Sequence, residues 1–271
     1  MNDVTFKTLV KREYWEHRGL WLAPAATAGV LIIAALFALV RSGEVHFGPR
    51  GFSGRVGGME SGDALTASVF PIAGLLMLVG SLTISLFLLD CLYAERKDRS
   101  ILFWKSLPVS DTQTVLSKLA VAVVITPIGI GLLAIATHVV CLLLLRLFPP
   151  ATMAFDLMWS PGAQLRAYGW IFALMAVNAV WFLPWAGYSL LASVLSRRSP
   201  MLIAILPLVL VPLAERLAFG TSYVARWLGS RARPTVDLSA ALADPQWWVG
   251  AAIGAALIVT VIRLRRWRDD S

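Results

Sequence analysis

The chain has 271 residues, of which 58% are hydrophobic and 15% are charged, and its formal net charge is +8. Because an average soluble domain carries about 25% charged residues, this composition excludes an ordinary soluble fold and indicates a membrane protein. No basic stripe with interleaved aromatic residues indicates nucleic-acid binding, so the positive charge predicts attraction to anionic membrane lipid.

Residues 1–19 come first and are predicted to form an amphipathic interfacial helix. Phe6, Leu9, Val10 and Tyr14 fall on one helical arc, as expected for a helix that lies at a membrane surface. Glu13 and His17 interrupt this arc. The alternative is a short solvated leader with some apolar residues.

Six apolar runs follow, and each is long enough to cross a bilayer. About 20 apolar residues span roughly 30 Å of hydrocarbon at about 1.5 Å per residue. The sequence therefore predicts an all-α integral membrane protein, a single domain over residues 1–271. We expect the first run to be a permanent anchor, because it exceeds the roughly 7 to 15 apolar residues of a signal peptide. The predicted spans are 20–40, 69–91, 119–145, 169–195, 201–217 and 247–262.

The distribution of Lys and Arg predicts the orientation of these spans. Cytoplasmic loops of membrane proteins carry an excess of basic residues. Placing both termini in the cytoplasm puts fifteen of the 24 basic residues on that side. They are Lys7, Lys11, Arg12, Arg18, Arg96, Lys97, Arg99, Lys105, Lys118, Arg197, Arg198, Arg263, Arg265, Arg266 and Arg268.

The loop at 94–110, between spans two and three, is the most informative polar segment. Glu95 precedes Arg99 by four residues, a spacing that supports a helix leaving the bilayer. An apolar surface outside the hydrocarbon follows, made of Ile101, Leu102, Phe103, Trp104 and Leu107. Pro108 ends that helix, and Ser110 with Gln113 forms a capping box that starts the next one. A continuous helix from Asp111 to Arg146 would be about 54 Å long and would project into the cytosol. Such a loop is suited to docking a cytoplasmic partner.

This loop resembles the cytoplasmic loop of permease subunits of ABC-2 type ATP-binding cassette transporters. The similar residues are Glu95-Arg-x-x-Arg99-Ser100, then Trp104-Lys-Ser-Leu-Pro-Val-Ser110, then Ser117-Lys118. The resemblance implies that 94–110 contains the coupling helix that seats on a nucleotide-binding subunit. The residues assigned to docking are Glu95, Arg99, Ser100, Leu107, Pro108 and Ser110 by resemblance, with Ile101, Phe103 and Trp104 from the apolar surface.

The resemblance further implies that one chain spans the membrane and that another chain binds and hydrolyses ATP. The sequence contains no G-x-x-x-x-G-K-[ST] phosphate loop. We therefore expect no catalytic residues and no bound cofactor in this chain, with ATP and Mg²⁺ held by a separate ATPase subunit. A second permease chain, identical or not, would complete the path in the cytoplasmic membrane of a bacterium. The apolar spans favour export of a lipid-like, peptide or drug-like substrate.

The remaining polar residues leave two other classes open. Asp90, His138, Glu215 and Arg216 lie in or near spans and are candidates for ion pairing or for lining a path, since buried charges are costly in a bilayer. The histidines lack the spacing of metal ligands, and Cys91 and Cys141 are predicted to be free thiols. An ATP-independent carrier would show inverted repeats with midplane charges, and a membrane-embedded lipid-modifying enzyme would show a catalytic motif; neither pattern is evident.

Overall fold

The computed structural model describes residues 3–42, 64–98, 109–147, 161–231 and 238–267, and these ranges are helical with short connections. Six of the helices are long and apolar enough to cross a membrane. The chain is therefore an all-helical protein with the features of a multi-pass membrane protein, as the sequence predicts.

The helices follow the predicted order along the chain. A short α1 (Asp3–Glu16) precedes the first spans, α2 (Gly19–Ser42) and α3 (Ala64–Lys97). The third span, α4, covers Asp111–Leu147. The remaining helices are α5 (Pro161–Leu195), α6 (Pro200–Phe219), α7 (Tyr223–Arg231), α8 (Leu238–Ala243) and α9 (Pro245–Trp267). Several spans extend beyond the predicted apolar runs, because polar turns continue the same helices.

The start of α4 confirms the predicted capping box. The Ser110 hydroxyl accepts a hydrogen bond from the Gln113 backbone amide at 3.2 Å, and the Gln113 side chain accepts one from the Ser110 amide at 3.2 Å. These bonds satisfy backbone donors that a helix start leaves unpaired. Farther along, α4 widens into a π-helical turn at Val121–Ile125 before continuing. Pro127 follows this turn, and the wider turn accommodates its missing amide donor.

The bundle alternates in direction. Consecutive spans run in opposite directions; α3 packs between α2, α4 and α5, and α9 packs mainly against α5. The ends of α1, α3, α5 and α9 and the beginnings of α2, α4 and α6 therefore meet at one end of the bundle. We call it the loop end because the described ends of segment 94–110, Asp98 and Val109, lie there. The opposite end carries the beginnings of α3, α5 and α9.

Glycine residues permit a close crossing of α5 and α9. A Cβ added to Gly254 of α9 would lie 2.7 Å from the backbone carbonyl carbon of Leu183 and 2.8 Å from the nitrogen of Pro184, both on α5. A Cβ on Gly187 would meet the Gly254 carbonyl oxygen at 3.0 Å. Small residues at such positions allow transmembrane helices to pack with their backbones almost in contact.

The two largest apolar clusters of the described residues lie one toward each end of the bundle. The cluster at the loop end includes Leu88, Val115, Leu190 and Val261, and the opposite cluster includes Leu76, Ile130 and Leu145. By contrast, the apolar window of α6 is only 6% buried, against 44% for α3. Most of the α6 surface is therefore left for lipid or for another protein.

Candidate functional site

A buried cluster of charged side chains lies at the loop end of the bundle. At its centre, Lys118 Nζ of α4 is 2.8 Å from Glu13 Oε1 of α1 and 2.9 Å from Glu95 Oε1 of α3. The side chains of Lys118 and Glu13 are each 1% exposed, and that of Glu95 is 7% exposed. One ammonium group therefore joins two carboxylates from helices that are far apart in sequence.

Arg265 extends the cluster to the last span. Its guanidinium is 3.1 Å from Glu95 Oε2, and its Nε donates a hydrogen bond to Asp111 Oδ1 at 3.1 Å. Arg265 itself is only 5% exposed. Since Asp111 is the first residue of α4, this arginine ties the end of α9 to the ends of the two helices that flank the 94–110 loop.

The exposed rim of the cluster belongs to α1. Arg12 pairs with Glu16 at 2.9 Å and approaches Glu13 at 3.7 Å and Glu95 at 4.0 Å. His17 Nδ1 lies 3.6 Å from Glu13 Oε2. Ligand atoms of Glu13, Glu16 and His17 lie within 4.8 Å of one another, but Glu13 Oε1 is already paired with Lys118 and Glu16 Oε1 with Arg12. This arrangement therefore favours ion pairing over metal binding.

The local sequence explains why Glu13 points inward. Leu9 and Glu13 are one helical turn apart on the arc predicted to be apolar, and both are buried. On α4, Lys118 lies beside buried Thr114, Val115 and Ser117. The charges that interrupt the two amphipathic patterns therefore face each other. Burying such charges costs several kcal/mol per ion unless they are paired, so helix packing and ion pairing here depend on each other.

The cluster surrounds the base of the predicted coupling segment. Glu95 and Ser110 are described, and they lie at the two ends of that segment. The side chain of Glu95 faces the bundle interior, and Ser110 acts as the N-cap of α4. The other residues assigned to docking lie outside the described residues. They are Arg99, Ser100, Ile101, Phe103, Trp104, Leu107 and Pro108, and their contact with a partner stays a prediction.

The other predicted polar residues lie apart from this cluster. Asp90 is exposed on α3, with no basic group within 4 Å in the described ranges. Glu215 accepts hydrogen bonds from the Thr221 hydroxyl at 2.7 Å and from the backbone amides of Tyr223 and Val224 at 2.6 and 2.9 Å. Its carboxylate thus caps the start of α7. Neighbouring Arg216 is exposed. Its carbonyl accepts a hydrogen bond from the amide of Gly220, which ends α6 in a left-handed backbone conformation.

His138 forms a second polar group, near the opposite end of the bundle. Its Nε2 is 3.1 Å from the Ser68 hydroxyl, and its Nδ1 is 2.9 Å from the Tyr168 hydroxyl. Both Ser68 and His138 are 1% exposed. A serine–histidine pair so enclosed has no opening for a substrate, so this group packs and orients α3, α4 and α5. The two cysteines, Cys91 and Cys141, are free and buried.

Sequence reasoning missed the partners of the charge cluster. The sequence identifies Lys118 only as a cytoplasmic basic residue and as part of the resemblance, Glu13 only as a break in an apolar arc, and Arg265 only as a cytoplasmic basic residue. One signal was present: a carboxylate on an otherwise apolar arc needs a cation when that arc is buried. The sequence could not predict which cation pairs with Glu13, because Glu13 and Lys118 are 105 residues apart.

Comparison of the chain with protein-family models, with curated proteins and with solved structures gives no match. The geometry of the charge cluster and the pattern of the 94–110 loop therefore carry the functional inference.

Proposed function

We propose that this chain is the membrane-spanning permease subunit of an ABC-2 type exporter, which couples to a separate ATPase subunit and exports a hydrophobic, lipid-like, peptide or drug-like substrate. In this proposal, two permease chains form the path and the 94–110 loop seats on the ATPase. The observation that carries the proposal is the buried charge cluster at the base of that loop. It supports the proposal because it offers a rigid route for force.

The lengths of the flanking helices support a projecting loop. α3 has 34 residues, or about 51 Å at the α-helical rise, and α4 has 37 residues, or about 55 Å. Both exceed the roughly 30 Å of bilayer hydrocarbon. The predicted coupling segment joins their two ends. A partner bound to this segment would therefore exert force on two long helices, α3 and α4.

The charge cluster connects α3 and α4 to the rest of the bundle. Lys118 of α4 binds Glu95 of α3 and Glu13 of α1, and Arg265 of α9 binds Glu95 and Asp111. A displacement of the segment would thus be passed to α1 and α9 as well as to its own helices. Since α9 is closely packed on α5, the displacement would reach a fourth span.

Docking and coupling are separable by experiment. Leu107→Asp places a charge on the apolar surface predicted to enter the ATPase, and we expect it to abolish copurification of a nucleotide-binding subunit from the native membrane. Thr112→Asp is the matched control, because it adds the same charge at an exposed position of α4 and should leave copurification intact. Equal recovery of the subunit with both variants would contradict the assigned docking surface.

Coupling is tested within the cluster. The double variant Glu13→Gln/Lys118→Met keeps the loop sequence unchanged, so we expect it to retain the ATPase subunit while losing the stimulation of ATP hydrolysis that the permease provides. Stimulation at the level of the unaltered chain would remove the cluster from the transmission route. Substrate movement in vesicles that contain this chain alone, at the full rate, would reject the transporter class and favour an ATP-independent carrier.

A further inference from the structure

An open cavity lies where α5 ends and α6 begins, at the loop end of the bundle. Its volume is about 460 Å³, and its lining residues are Leu195, Arg197, Arg198, Ser199, Leu202 and Ile203. The lining thus combines two guanidinium groups with aliphatic side chains and contains no carboxylate. Both arginines are exposed, and neither has an acidic partner within 4 Å in the described ranges.

The position of the cavity determines which ligand reaches it. Two helices that are long and apolar enough to span a bilayer meet there, and a bilayer crossed by both would place the arginines at the level of the lipid headgroups. Below them, Leu202, Leu206 and Val209 form part of the unburied face of α6, with 67%, 57% and 56% of their surfaces exposed. An amphiphile with an anionic head and acyl chains matches both halves of this surface.

The turn that carries the arginines is fixed in place by α3. The Tyr93 hydroxyl donates a hydrogen bond to the Arg198 carbonyl at 2.7 Å, and the Arg96 guanidinium donates to the carbonyls of Ser193 and Ser196 at 2.5 and 2.9 Å. These bonds fix the backbone of the turn, and none of them involves the side chain of Arg197 or Arg198. The Ser199 hydroxyl makes no capping bond to α6. A preorganised turn lowers the ordering cost of binding.

We propose that this cavity binds one phospholipid with an anionic headgroup, whose phosphate contacts Arg197 and Arg198 and whose acyl chains lie along α6. Basic pockets between transmembrane helices are suited to such headgroups. The site differs from the charge cluster, since none of its lining residues takes part in the ion pairs. It depends on α5 and α6 spanning the bilayer and not on the transport function proposed above.

Native mass spectrometry of the detergent-purified full chain tests the proposal, with palmitoyl-oleoyl phosphatidylglycerol and the zwitterionic phosphatidylcholine as probes. Each arginine at the membrane surface contributes about fivefold to the affinity for anionic lipid, so Arg197→Gln/Arg198→Gln should weaken phosphatidylglycerol binding roughly thirtyfold. The matched control is Arg263→Gln/Arg266→Gln, which removes two exposed arginines from the same end of the bundle and should keep the tight binding event.

Three outcomes would overturn the proposal. Equal weakening by the two double variants would indicate general surface attraction, and equal affinity for the two lipids would remove the selectivity. Displacement of the lipid by excess inorganic phosphate would indicate a site for free anions. A photoreactive phosphatidylglycerol provides a measurement on the unaltered chain: crosslinking within residues 195–203 supports the site, and crosslinking confined to other segments refutes it.

Discussion

Replacing Lys118 by methionine is the sharpest test of the charge cluster. Methionine has similar length and no charge, so Lys118→Met removes the ammonium group while largely preserving volume. Lys118 is 1% exposed and contacts Glu13 and Glu95 at 2.8 and 2.9 Å. Removing one partner of a buried ion pair costs about 3–5 kcal/mol, because the other charge is left uncompensated. We expect a loss of this size in the free energy of unfolding.

The two carboxylates are not equally dependent on Lys118. Glu95 retains Arg265 at 3.1 Å, whereas Glu13 retains the partly exposed Arg12 at 3.7 Å and His17 at 3.6 Å, both of them longer contacts. Neutralising Glu13 should therefore recover more of the lost stability than neutralising Glu95. We expect Glu13→Gln/Lys118→Met to be more stable than Glu95→Gln/Lys118→Met, with a coupling energy for Glu13 and Lys118 of about 1–3 kcal/mol.

The assay is the denaturation midpoint of the purified protein in one detergent, followed by the monodisperse fraction in size-exclusion chromatography. Lys97→Met serves as the control, because Lys97 is exposed at the end of α3 and should change stability by less than about 0.5 kcal/mol. Two results would refute the reasoning: Lys118→Met as stable as the Lys97→Met control, or additive effects of the changes at Glu13 and Lys118.

Three further predictions concern helix packing and capping. Gly254→Ala should cost about 1–3 kcal/mol of unfolding free energy by forcing α5 and α9 apart, whereas Gly74→Ala, which meets open space, should not lower the denaturation midpoint. Ser110→Ala should cost about 1 kcal/mol by removing the cap of α4, and faster amide hydrogen exchange limited to its first turn would report it. Tyr168→Phe should cost about 0.6–1.7 kcal/mol of unfolding free energy, the range for hydrogen bonds between membrane helices. The same substitution should cost nothing when His138 is already replaced by phenylalanine. An undiminished cost in that background would contradict the contact.

The features that the sequence predicted correctly are those set by neighbouring residues. The six spans follow from runs of apolar residues, and the beginning of α4 follows from Ser110 and Gln113, which are three residues apart. Interactions over such short separations form within a single helix, so they need no knowledge of the rest of the fold. The apolar arc of α1 was also predictable from Leu9 and its neighbours, but its direction toward the bundle interior was not.

The tertiary structure alone decided which charges meet. Glu13 appeared as a defect in an apolar arc. Glu215 appeared as a residue for ion pairing or for lining a path, and its hydrogen bonds with Thr221, Tyr223 and Val224 identify it as a helix cap instead. The pairing of Glu13 with Lys118, and of Glu95 with Arg265, depends on how four helices pack. Long-range ion pairs carry no sequence periodicity, and only the fold brings their partners within 4 Å.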